Sequence, residues 1–383
     1  MSAETTTTTE AQPKKRPLEV HGLRLIELSD RTSSVMHVTE GEEYYSKHDP
    51  VVNAFRMFSQ LNDVAVSGRV SVVPVSSYSE TLMSHAAEVS SDFALIPWSE
   101  YGNMTEDQQM QFAMSPSERF KSGMHLEFVH DALQRAVKTC NAGIFIDNGL
   151  GGISKATARP RMNRTRSATS TPSYHEPPTL PVSDKSHHVF FPFFGGADDR
   201  AALGFVLQLA KSPLVTLTIT HVSWAEEDDH DEGDNAVVES STAAATRRNS
   251  ATMGKHIEAV TAQDLALLAA LRSYPPQELA GGLIFDEVVV STSRAAADEA
   301  FALAQAAVGK SPRNAGDIVV LGRRHLQLGD PAGEGRGGSG DLGRILGVAA
   351  ERMVAKGVDA SVLVIQAGGA GLDMPNPDKV RFE

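Results

Sequence analysis

The sequence predicts an α/β protein built as two tandem domains, each an open parallel sheet with helices on both faces. Three observations carry this. Apolar, β-branched runs alternate with segments of helical period, as in a sheet of parallel strands covered on both sides. One passage is written twice. Val70-Ser-Val-Val-Pro-Val-Ser-Ser77, a helical run and Asp92-Phe-Ala-Leu-Ile-Pro-Trp98 follow the same plan as Phe285-Asp-Glu-Val-Val-Val-Ser-Thr-Ser293, a helical run and Asp317-Ile-Val-Val-Leu-Gly322. After each copy comes one more helix and one more strand, Ala142 to Asp147 and Ser361 to Gln366, and a repeat on this scale implies a duplicated architecture.

Taken in order, residues 1–18 are Thr-rich and polar and are expected to be disordered. The first domain, 19–152, opens with the strand Leu23-Arg-Leu-Ile-Glu-Leu28. Pro50 then starts a helix whose Val51, Phe55, Phe58 and Leu61 lie at helical spacing. The two repeat strands follow, then a Met- and Gln-rich excursion between Trp98 and Leu126. A helix from Phe128 to Thr139 has Val129, Leu133 and Val137 on one face, and Ala142 to Asp147 closes the sheet. Residues 153–186 read as a linker rich in Ser, Thr, Pro and Arg. The second domain, 187–368, opens with His188-Val-Phe-Phe-Pro-Phe-Phe194, turns through Gly195-Gly-Ala-Asp-Asp-Arg200 into a helix, and continues with the strand Leu214 to Val222. An acidic, aperiodic insertion, 224–255, is expected to be disordered because it lacks apolar surface to offset ordering. The helix Thr261 to Leu271, the second repeat, a glycine-rich loop from Arg323 to Asp341 and a polar tail, 369–383, complete the chain. Against this plan the first domain is N-terminally incomplete, short of an opening strand and helix. Either the chain is part of something larger or another segment supplies that strand.

A net charge of −13, with no concentration of Lys and Arg on a folded element, argues against nucleic acid and against an anionic membrane surface as partners. The single cysteine, Cys140, excludes an internal disulfide and suits a reducing compartment. No apolar run approaches the ~20 residues of a bilayer span, and the N-terminus has no apolar signal core. A soluble, cytosolic protein is expected.

Four segments carry a family resemblance: Leu23-Arg-Leu-Ile-Glu-Leu-Ser-Asp-Arg-Thr-Ser-Ser34, Ala142-Gly-Ile-Phe-Ile-Asp-Asn-Gly-Leu-Gly-Gly152, Phe193-Phe-Gly-Gly-Ala-Asp-Asp-Arg-Ala-Ala202 and Asp317-Ile-Val-Val-Leu-Gly-Arg-Arg-His325. Each half resembles a universal-stress-protein domain. In wording and order, the segments together resemble the cytosolic C-terminal region of fungal and plant monovalent cation:proton antiporters of the potassium-handling CHX type. The resemblance implies a regulatory domain of a potassium/proton antiporter, at the cytosolic face of a Golgi, endosomal or plasma membrane. Its implied partner is a transmembrane domain that is not in this sequence.

Stress-protein domains of the nucleotide-binding kind carry Gly, two residues, Gly, nine residues, then Gly with Ser or Thr, so that backbone N–H groups can approach phosphates. In the second half the matching segment begins at Gly322. His325 stands where the second glycine belongs, the loop is longer, and Gly343-Arg-Ile-Leu-Gly347 is followed by Val348 instead of a hydroxyl residue. Arg323, Arg324 and His325 are expected to replace part of the missing anion donors. In the first half the same place reads Ile96-Pro-Trp-Ser-Glu-Tyr-Gly102, where Pro97 removes a donor and Trp98 fills space, so no phosphate is expected there. Gly195-Gly196 with Asp198-Asp199 reads first as a helix cap with acidic first-turn residues, and second as part of a ligand cleft at the carboxyl ends of the strands.

The expected cofactor-binding set is therefore Gly195, Gly196, Asp198, His221, Gly322, Arg323, Arg324, His325, Gly343 and Gly347, with ATP, ADP or AMP as ligand. No metal site is expected, because His187, His188, His221 and His325 lack compact ligand spacing. No catalytic motif is present and no enzymatic activity is expected. Arg247-Arg-Asn-Ser250 and Arg164-Thr-Arg-Ser167 read as kinase sites at Ser250 and Ser167. A homodimer through Ala142–Asp147 or Ser361–Gln366 is expected, with pairing of the two halves inside one chain as the alternative. A scaffold that binds no ligand is the rival function, and a nucleotide hydrolase ranks last.

Overall fold

A computed structural model describes residues 18–28, 49–62, 64–98, 123–148, 150, 186–224, 260–276, 279, 282–310, 316–324 and 341–369. The expectations on 1–17, the excursion after Trp98, the linker up to 185, the insertion from 225, the loop from His325 and the tail from 370 lie outside the described residues. So do Ser167 and Ser250. The chain divides into two compact units, Met1–Val89 and Ser90–Glu383.

In the smaller unit β1 (Glu19–Glu27) and β2 (Ala65–Val73) form a two-stranded parallel sheet, joined through helix α1 (Pro50–Asn62). Asp49 sets the start of α1. Its carboxylate accepts the N–H groups of Val51 and Val52 and pairs with Arg24 of β1 at 3.0 Å, which ties a side-chain N-cap to the sheet. The helix lies on the sheet through Val52 and Phe55, which take the space a Cβ would need at Gly68 and Gly22. The sequence pointed to Val51 as the inward residue. It is 48% exposed and Val52 is buried, because the notch over Gly68 admits the neighbouring side chain. Helix α2 (Tyr78–Glu88) follows a 3₁₀ turn and buries Ser79, Met83 and Ala86.

The larger unit holds a seven-stranded sheet in the order β3-β4-β9-β8-β5-β6-β7. Its strands are β3 (Phe93–Pro97), β4 (Asn141–Ile146), β5 (His187–Phe193), β6 (Val215–Trp224), β7 (Leu283–Val290), β8 (Ile318–Gly322) and β9 (Ser361–Gln366). The helices are α3 (Gly123–Ala136), α4 (Ala197–Leu209), α5 (260–273), α6 (Ser293–Ala307), α7 (Asp341–Leu346) and α8 (Val348–Lys356). Every residue of β8 and β9 is buried, as expected of apolar strands covered on both faces. The core packs Phe191, Phe193, Leu217, Ile219, Val320 and Ile365 against Ala202, Leu203 and Val206 of α4.

The strand pairs β3–β4 and β8–β9 share a pattern of terminal hydrogen bonds. The carbonyl of Asp92 accepts from Asn141 at 3.2 Å, and that of Asp317 accepts from Ser361 at 3.0 Å. At the other end Trp98 N–H donates to Phe145 and Arg323 N–H donates to Ile365, both at 2.8 Å. The pair β3–β4 thus has the register of β8–β9, with Phe93 in the place of Ile318 and Asn141 in that of Ser361.

All neighbouring strands run parallel except β4 and β9, which pair antiparallel from Ala142↔Gln366 to Ile146↔Val362. The strands assigned to a homodimer are therefore each other's partners, and the expectation of a dimer through these edges is corrected to pairing within the chain. The same seam draws β3, α3 and β4, read from the sequence as part of 19–152, into one compact unit with β5 to β9.

Candidate functional site

The expected ligand site lies where β5 and β8 end and α4 begins. Asp198 and Asp199 occupy the first turn of α4, where acidic side chains favour the helix dipole. Asp199 is fully buried. One carboxylate oxygen accepts the N–H groups of Phe194 and Gly195, both at 2.8 Å, and the other accepts Gly322 N–H at 3.1 Å. Asp198 accepts Arg324 N–H at 3.0 Å and Ala367 N–H at 2.8 Å. Burial raises the Asp198 carboxyl above the usual range, while these two bonds pull the other way. Since Arg323 N–H is bound to Ile365, the three successive amides at the end of β8, at 322, 323 and 324, all have partners in the chain.

Gly322 is required here for a reason other than phosphate. A Cβ at this position would overlap the Asp199 carboxylate and the backbone of Asp198–Asp199. The glycine brings β8 within hydrogen-bonding reach of an internal carboxylate instead of an external anion.

Helix α5 adds a residue the sequence reading missed. Asp264 accepts Gly196 N–H at 2.8 Å and pairs with Arg200 at 2.6 Å. A signal for it existed: Asp264, Leu268 and Leu271 lie at i, i+4 and i+7, so the acid shares the buried face of α5 with two leucines. Gly196 N–H, the third of the amides at the turn into α4, is thereby also engaged.

Arg323 is 6% exposed and turned into the protein. Its guanidinium donates to the carbonyls of Arg344 and Ile345, at the end of α7, and to Gln366, whose amide donates to the Leu133 carbonyl on α3 at 2.8 Å. Burial, helped by the charge of Arg324, lowers its pKa to about 10, so it stays protonated at neutral pH. The expectation of Arg323 as an anion donor facing a ligand is corrected, because the unpaired carbonyls of a helix end hold it inside. Gln366 went unnoticed in the sequence, having no motif.

The remaining expected residues are spread more widely. Gly343 lies within α7 and its carbonyl accepts Gly347 N–H at 2.9 Å. Gly347 precedes α8 with a positive φ, +86°, and an extended ψ, 162°, under the Arg323 carbonyl. His221, on β6, faces Glu287 of β7 at 3.6 Å and is not part of the carboxylate–amide cluster. His325 lies outside the described residues. Among the described residues no group of three or more His, Cys, Asp or Glu could hold a metal ion.

His188 has a measurable consequence. Its ring bridges Thr216 Oγ1 at 2.8 Å and Thr218 Oγ1 at 3.3 Å. Burial lowers its pKa, Asp317 opposes this, and Lys310 reinforces it. With the folded value below the unfolded one, the unfolded chain takes up the proton first. Stability is then present at neutral pH and is lost as pH falls below about 6.5. Melting curves between about pH 7.5 and 5 should show this acid slope, and His188→Gln should flatten it.

Comparisons with known proteins agree with the antiporter part of the sequence resemblance. The family described as plant cation/H(+) antiporter domain matches residues 20–150, from β1 to just after β4. The chain is 30% identical over 215 residues to cation/H(+) antiporter 19 of Arabidopsis thaliana, a match covering 54% of this chain and 22% of that protein. It is 27% identical over 232 residues to cation/H(+) antiporter 15 of the same plant, covering 58% of this chain and 23% of that one. The chain thus spans less than a quarter of the length of these relatives. A universal stress protein from Archaeoglobus fulgidus aligns over 92% of this chain and 86% of its own at 12% identity and a TM-score of 0.38. Among the described residues no helix is long and apolar enough to cross a membrane.

Proposed function

We propose that this chain is a regulatory region of a potassium/proton antiporter, built from a tandem stress-protein-like duplication, and that it acts on the cytosolic side of the membrane that holds the transporter. The alignment to a minor part of several long antiporters supports the attachment. The observation that supports its mode of action is the strand end of the second half. Its amides at 194, 195, 196, 322, 323 and 324 are bonded within the chain, most of them to Asp198, Asp199 and Asp264. Two carboxylates already stand where a phosphate would need to approach, and their charge opposes a second anion. This favours a scaffold that works through protein contacts over a sensor of ATP, ADP or AMP. A scaffold regulates only if its contacts differ between transport states, so its effect must appear as a shift in the conditions under which the antiporter turns over.

The test is potassium-driven proton flux in vesicles carrying the longer antiporter, with and without this region, each with and without ATP on the cytosolic side. Deletion should retain flux and shift its dependence on pH and potassium, and ATP should act equally on both forms. Unchanged dependence after deletion would remove the regulatory reading. An ATP effect lost on deletion would restore the nucleotide reading.

A further inference from the structure

The antiparallel seam between β4 and β9 is clasped at one end by side chains. Asn148 stands two residues beyond β4, and Ser361 opens β9. The Asn148 N–H donates to Ser361 Oγ at 2.8 Å, and the Ser361 hydroxyl donates to the Asp147 carboxylate at 3.3 Å. The side-chain amide of Asn148 donates to the Val358 carbonyl at 3.1 Å and reaches that of Ala360 at 3.4 Å. Val358, Ala360 and Ser361 are buried, whereas Asn148 is exposed. One amide thus ties together segments 210 residues apart, at a place that water reaches.

Asn148 is followed by Gly149, the one Asn-Gly pair in the sequence. In such a pair the backbone nitrogen of the glycine, once deprotonated, attacks the asparagine Cγ, because no Cβ beside it crowds the approach. A C–N bond forms, a five-membered imide closes, and the side-chain nitrogen leaves as ammonia. Water then adds to one imide carbonyl and breaks its bond to nitrogen, leaving aspartate or its β-linked isomer. The only co-reactant is water. The leaving nitrogen is the atom that donates to Val358, so the ring cannot close and ammonia cannot depart while the clasp is shut.

We infer that Asn148 is a modification site gated by the seam: it deamidates in molecules whose β4–β9 junction has opened at this end, and its product does not remake the clasp. A carboxylate at 148 has no donor for the carbonyls of Val358 and Ala360, and it stands next to the carboxylate of Asp147. Openings that react are therefore retained, and the modified fraction grows with the time the junction has spent open. The inference does not rest on the proposed function, and its test leaves that function untouched.

The test incubates the full chain and a peptide of residues 144–153 side by side in mildly alkaline buffer. Peptide mapping reads the conversion of amide to acid at 148 and the share of the β-linked isomer. Conversion in the chain should be slower than in the peptide by about tenfold or more, the ratio giving the fraction open, and should quicken in urea below the unfolding transition. Asn148→Asp should speed hydrogen exchange along Ser361–Gln366 relative to the parent. Conversion as fast in the chain as in the peptide, a rate in the chain that urea leaves unchanged, or exchange in Asn148→Asp as slow as in the parent would overturn the inference. The two rate comparisons need no variant to fold.

Discussion

Replacing Asp199 by alanine is expected to lower the unfolding free energy of the larger unit by about 3–5 kcal/mol. The side chain is fully buried and accepts from the amides of Phe194, Gly195 and Gly322. Alanine removes all of these bonds at once, at donors that are buried (Phe194 and Gly322) or half-buried (Gly195). Asp199→Asn keeps one acceptor oxygen. It can serve either the pair at 194–195 or the amide of Gly322, while its NH₂ meets another donor, so an intermediate loss of about 2–3 kcal/mol is expected. Denaturant unfolding followed by tryptophan and far-UV signals would measure both. An alanine variant within about 1 kcal/mol of the parent would mean that the cluster does not hold the strand end together.

The second large effect is expected at Gly347. Here φ is +86°, and a Cβ would overlap the backbone carbonyl of Arg323, which cannot swing away as a side chain can. Gly347→Ala should therefore cost about 3 kcal/mol or more, a fall of roughly 6–12 °C in the melting midpoint of a unit this size. Gly357 is the control. Its φ is also positive, +71°, but with ψ 65° it lies in the αL region, which strains a side chain less than the extended ψ of Gly347, and a Cβ there meets nothing within 4 Å. Gly357→Ala should lose only the conformational component, about 1 kcal/mol. Equal losses at the two positions would show that the overlap with Arg323 is relieved by backbone movement.

What could be read in the sequence was what neighbouring residues dictate. The alternation of strands and helices, the start of α1 at Pro50 and the acidic first turn of α4 all follow from spacing within a few residues. Gly195-Gly196, Asp198 and Gly322, expected at one strand end for the same reason, do lie together there. What they do when they meet was hidden. Asp199 and Gly322 are joined across the whole of β6, α5, β7, α6 and β8, and no local pattern shows that the partner of a glycine amide is a carboxylate instead of a phosphate. Arg323 misled because a loop arginine reads as exposed, whereas the carbonyls at the end of α7 draw it inward. The antiparallel seam was beyond pattern altogether. Apolar terminal strands say that an edge must be covered, and not by which copy.

That seam also sets a schedule. β4 can find β9 only after roughly 200 further residues have been made, which at about 5–20 residues per second takes roughly 10–40 s on the ribosome. Through that interval β4 shows an unpaired edge lined by Ile144 and Phe145, while β3 and β4 can already pair with each other. On a crowded messenger, the β9 of a chain ahead fits the waiting edge as well as the chain's own does. Exchange of the last strand is therefore the misassembly to look for when this polypeptide is made quickly or truncated before Ser361.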